Sequence, residues 1–124
     1  MKDNVVSTIA RIVYALVMGF FALNHFMHPE SMAGAVPSFL PSPVIWVYIV
    51  GGALVLATLA ILIGIKVKLA GYLFGLMLLI ILLSVHVPNL INATDDAGKM
   101  MPMTMILKDL GLAAAAFYIG SKHK

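Results

Sequence analysis

Polar residues along this chain do not alternate with apolar ones; they are pushed aside into a few short connections. Four apolar runs result, at about 5–27, 44–65, 69–87 and 102–120. About 20 apolar residues suffice to cross roughly 30 Å of hydrocarbon. The pattern therefore predicts an all-α fold, an integral membrane four-helix bundle that fills residues 1–124 as one domain. Pro102 suits the first turn of the fourth helix, where no amide donor is needed. The first run is interrupted by Arg11 and no small-residue cleavage site follows it, so it reads as a retained span and not as a signal peptide.

Composition agrees: 62% of the chain is hydrophobic and 10% charged, where a soluble domain carries about 25% charged residues. The net charge of +3 is too thinly spread for a nucleic-acid footprint. No cysteine is present, which excludes disulfides, thiolate metal sites and dithiol redox chemistry within the chain.

Cations set the expected orientation. Lys2, Arg11, Lys66, Lys68, Lys122 and Lys124 fall on one side, Lys99 and Lys108 on the other. The excess places both termini and the Lys66–Lys68 turn in the cytoplasm. Arg11 is expected to snorkel to cytoplasmic phosphates, and Trp46 to mark the outer interface. The Pro-rich stretch between the first two spans (Pro37, Pro41, Pro43) cannot continue a helix. It reads as a semi-rigid cap at the lipid interface or as a lid over an outward-facing cavity.

Helices in lipid pack where small residues let backbones approach. Such residues recur at helical spacing in every span: Ala15, Gly19 and Ala22; Ala53, Ala57, Ala60 and Gly64; Gly71 and Gly75; Gly111 with Ala115, and Ala116 with Gly120. A tight bundle is expected, with a contact between bundles, a homo-oligomer, as a further outcome.

An ionisable side chain inside a span is costly and marks a candidate site. Here such groups converge on the outer ends: Asn24, His25 and His28 on the first helix; His86, Asn89 and Asn92 on the third; Lys108 and Asp109 in the outer half of the fourth. His25 shares a stripe with Arg11, Ala15, Met18 and Ala22, so it is expected to face the bundle. His86, Asn89 and Asn92 could share one face, which Pro88 would bend or end. Asp109 is expected to point inward, and Lys108 to snorkel to the outer headgroups. One reading of this layer is structural, with each group bonded to loop carbonyls or to a neighbour. The other is a ligand site or proton relay built on His25, His86, Asn89, Lys108 and Asp109. A quinone head group wants a histidine at its carbonyl and a carboxylate nearby to move the proton. A b-type haem on His25 and His86, or a metal on His25, His28, His86 and Asp109, draws less support from histidines so near an interface.

Three stretches carry a resemblance: NHFMHPESMAGAVPSFLPSPVIWVYIVGG, KLAGYLFGLMLLIILLSVHVPNLINA and LKDLGLAAAAFYIG. Their HF-x-x-PE, VPSFLP, H-x-PN and LKDL segments resemble the DoxX family of small bacterial membrane proteins. The resemblance implies a four-span bundle with some link to membrane redox biology, as relatives are associated with thiosulfate:quinone oxidoreduction and oxidative-stress complexes. By position it singles out His25, Pro29 and Glu30, then His86, Pro88 and Asn89, then Lys108 and Asp109; His28, Pro37 and Pro41 belong to the cap. A cysteine-free chain has no thiosulfate-handling thiol, so a partner redox protein or bound quinone would have to supply that chemistry. The functional expectation is a redox-associated subunit that binds a quinone or other lipophilic ligand in an outward-facing polar pocket. The alternative is a non-catalytic scaffold for partner proteins. A small transporter ranks last, since the first helix carries Arg11 where such an exporter would carry an acid.

Overall fold

The computed structural model describes residues 4–123; Lys2 and Lys124 of the cation count lie outside them. Within that range the chain is helical, with α1 at Val5–Met27, α2 at Pro29–Ala33, α3 at Pro43–Ile63, α4 at Val67–Ile81, α5 at Val87–Asn92 and α6 at Asp96–Ser121. A single π turn, Leu82–His86, welds α4 to α5 into one path. Four helical paths, Val5–Met27, Pro43–Ile63, Val67–Asn92 and Asp96–Ser121, are long and apolar enough to cross a membrane.

Local chemistry sets the boundaries. Asn4 and Ser7 form a reciprocal capping box at the start of α1, with the Ser7 amide donating to Asn4 Oδ1 at 2.8 Å. Pro29 and Pro43 stand in the first turns of α2 and α3, where the missing amide costs nothing. Gly64 closes α3 at φ 82°, a left-handed conformation natural to glycine.

Two boundaries correct the sequence reading. The fourth helix begins at Asp96, not at Pro102, because Asp95 caps it by accepting the Gly98 amide at 2.7 Å. Pro102 is carried inside that helix. The third path does not end at residue 87 but runs on to Asn92. Pro88 has no amide to offer the Ser84 carbonyl, and its ring crowds that turn. The chain widens instead: the Val87 amide donates five residues back, to the Leu82 carbonyl, and the helix resumes.

The helices pack as two close antiparallel pairs, α1 with α3 and α4 with α6. In the second pair a Cβ on Gly71 would stand 2.7 Å from the Ala116 carbonyl oxygen and 2.8 Å from the Gly120 Cα. Only glycine allows that approach. Gly51 plays the same part in the first pair, under His25 and the Phe26 ring. Between the pairs lies a core that includes Ala15, Met18, Leu54, Phe74, Ala113 and Ala116. Tyr14 stitches across it, its hydroxyl donating to the Leu112 carbonyl at 2.7 Å and its ring edge-on to Phe74. Gly111, expected in a seam, faces outward with nothing within 4 Å of its Cβ position. The outward faces are as apolar as the core: Leu56, Leu83 and Leu107 are each more than 60% exposed. A surface of that kind suits lipid.

Arg11 is not a headgroup anchor. Its guanidinium donates to the carbonyls of Ile61 and Leu62, the latter at 3.3 Å. A cation there satisfies last-turn carbonyls of α3 and meets the negative end of its dipole. The chain thus ties α1 to the α3–α4 corner. We call this end of the bundle, with Lys66, Lys68 and Lys122, the lysine end. The opposite end, with the Pro-rich connection, is the proline end. There α2 packs on α3 and α1, while Phe39 stands 82% exposed.

Candidate functional site

A buried carboxylate is the most expensive group in the molecule to place. Asp109 is 4% exposed, midway along α6 rather than in its outer half. It lies about 10 Å below Pro102 at 1.5 Å per residue. An unpaired charge there would be driven to neutralise or unfold the helix. Both of its oxygens are engaged. Oδ2 lies 3.1 Å from His86 Nε2, and Oδ1 lies 3.6 Å from Lys108 Nζ.

His86 reaches Asp109 because of where the π turn leaves it. It is the last residue of that turn, and α6 packs against the turn. Side chains on helices lean toward the N-terminus. On antiparallel helices, His86 and Asp109 therefore lean toward each other along the axis. The short Nε2–Oδ2 distance fits Nε2–H donating to the carboxylate, which makes Nδ1 the ring nitrogen remaining for a ligand or a proton.

Lys108 departs from expectation. Its ammonium turns inward, pairing with Asp109 and standing 4.7 Å from the centroid of the Phe21 ring on α1. A cation over an aromatic face is held by the ring quadrupole. Phe21 thus joins α1 to the site, a role its sequence position did not announce. The one available signal was its place one turn before His25, on the packing side of the helix.

The remaining predicted residues divide. His25 faces the bundle as expected, but toward α3: its Nδ1 lies 2.9 Å from the Phe21 carbonyl, and its Cβ lies against Gly51. Asn89 and Asn92 are exposed. Steps of three residues turn 300°, so each slips about 60° from the last and the face is not shared beyond His86. His28 and Glu30 are exposed at α2, which Pro29 opens; Pro37 is half-buried and Pro41 exposed. Among the described residues no three histidine or acidic side chains gather as a metal set, so His25, His28, His86 and Asp109 do not form the cluster weighed from sequence.

Two apolar grooves open on the bundle surface. One, of about 500 Å³, runs between α3 and α4; the other, of about 400 Å³, runs between α1 and α3 beside Thr58. Neither includes His86, Lys108 or Asp109 in its lining. The dyad is a packed polar contact, with His86 its more accessible member at 18% side-chain exposure.

No curated protein and no solved structure matches the chain. One family model does, over residues 14–119, a stretch that holds Tyr14, the π turn and the whole His86–Lys108–Asp109 cluster. The chain accordingly belongs to the family described as Domain of unknown function (DUF8561).

Proposed function

We propose that this chain is a DoxX-like, redox-associated subunit of the bacterial inner membrane. In this reading His86, Lys108 and Asp109 receive the polar head of a quinone or another lipophilic ligand. The observation that carries it is the 3.1 Å contact between His86 Nε2 and Asp109 Oδ2 on facing apolar helices. A carboxylate on one ring nitrogen fixes the tautomer and leaves the other as a proton acceptor, as in a hydrolase triad. With a quinol bound, His86 Nδ1 would accept the proton of one hydroxyl, the second proton would leave to water at the proline end, and both electrons would pass to a partner redox protein. Lys108, 3.6 Å from Asp109 Oδ1, adds a second donor. The same reading puts both termini and the lysine end in the cytoplasm.

The test is equilibrium binding of decylubiquinone by the purified full-length protein. His86→Gln should weaken binding at least tenfold with the helical signal unchanged. Equal affinity in wild type and variant would refute the reading.

A non-catalytic scaffold is the second reading, favoured by one observation. Asp109 is buried and both its oxygens are already occupied, as in a contact that specifies helix pairing. A wild-type protein that binds no quinone, yet loses a co-purifying membrane partner when α4–α6 packing is disturbed, would select it.

A further inference from the structure

The α3–α4 groove is a gap between two helices that the Gly64–Lys66 corner forces to be neighbours. Its walls are Leu54, Ala57 and Ala60 on one side and Leu73, Met77 and Ile80 on the other, with Lys66 at its mouth. From Lys66 to Ile80 it follows α4 for about 21 Å, somewhat more than half of a hydrocarbon core of about 30 Å.

Volume decides what fits. A helix is 10–12 Å across with its side chains, so a 20 Å length fills on the order of 2,000 Å³. The groove holds about 500 Å³. One extended hydrocarbon chain fills it along its length, whereas a helix of a second copy would insert only the side chains of one face.

Charge decides the head group. Lys66, Lys68 and Lys122 share the lysine end, where the Lys68 carbonyl packs on Gly120. The described acids Glu30, Asp95, Asp96 and Asp109 all lie away from it, at the proline end or mid-bundle. Among the described residues Lys66 has no ion pair. Its backbone is fixed in the left-handed region at φ 55°, which holds the residue at the corner from which the groove begins.

We propose that the α3–α4 groove is a binding site for an anionic phospholipid. One acyl chain lies between α3 and α4, and the phosphate rests on Lys66 with Lys68 beside it. The site requires the helices to lie in a bilayer but nothing of the His86–Asp109 dyad, so each stands or falls alone.

Full-length protein in a neutral detergent is titrated with phosphatidylglycerol or with phosphatidylcholine of identical acyl chains, and bound lipid is counted by native mass spectrometry. Phosphatidylglycerol should be retained at least fivefold over phosphatidylcholine. Lys66→Gln, at an exposed corner where folding is not at stake, should bring that ratio close to one. Ala57→Trp, which fills the groove and spares Lys66, should reduce retention of both lipids. Equal retention by the wild type, or a preference that survives Lys66→Gln, overturns the site. Loss of a dimer in Ala57→Trp with lipid retention unchanged overturns it in favour of a second copy.

Discussion

At the scale of the residue, most of the molecule's chemistry rests on one carboxylate. Asp109 is costly to bury, and two neighbours offset that cost unequally. His86 is largely buried, whereas 37% of the Lys108 side chain is exposed. Removing the carboxylate leaves a buried histidine and a half-buried ammonium without their acceptor, so Asp109→Ala should cost about 3 kcal/mol. Lys108→Met leaves Asp109 its shorter contact, to His86, and should cost less, about 1 kcal/mol. Reversible unfolding in mixed detergent micelles measures both, and equal costs would mean that Lys108 carries the pairing. The inward direction of Asp109 was legible from its spacing to Ala113, as was the stripe of Ala15, Met18 and Ala22, all buried. The direction of Lys108 was not. A long flexible stem reaches water or a neighbour with equal ease, and only the Phe21 ring on another helix decides between them.

At the scale of the element, small residues indicate where backbones are able to meet, not where they do. Gly71 and Gly111 look alike in sequence, each within a seam of its helix. Gly71 lies against the Ala116 carbonyl, while Gly111 faces open space. Gly71→Ala should therefore destabilise the α4–α6 pair by about 1–3 kcal/mol through overpacking. Gly111→Ala should stabilise by up to about 1 kcal/mol, since alanine is the better helix former. The two unfolding free energies should move in opposite directions. Helix ends were legible where the apolar run alone set them, as at Val5 and Met27 for α1. They were not where signals competed. Pro102 looked like a start, but Asp95 caps first; Pro88 looked like a stop, but a π turn absorbs it.

At the scale of the whole molecule, charge and polarity are segregated along the bundle axis. Lys66, Lys68 and Lys122 collect at one end, His86 and Asp109 pair in the middle, and His25, His28, Glu30, Asp95 and Asp96 lie toward the other. Four apolar helices and their lipid-like outer faces were plain in the hydropathy pattern. The pairing of α1 with α3 and α4 with α6 was not, since every helix has an apolar face on all sides. The cysteine-free chain makes sidedness directly measurable. In intact inverted membrane vesicles, an impermeant maleimide should label Ser121→Cys and leave Thr94→Cys unlabelled; the opposite pattern would invert the topology.

The proposed function requires His86 and Asp109 to act as one unit on a lipophilic ligand, which a double-mutant cycle on decylubiquinone affinity measures. His86→Gln and Asp109→Asn should each weaken binding, and the double variant should bind no more weakly than the worse single variant. Additive losses, or an affinity that neither substitution changes, would rule out a joint role for the pair.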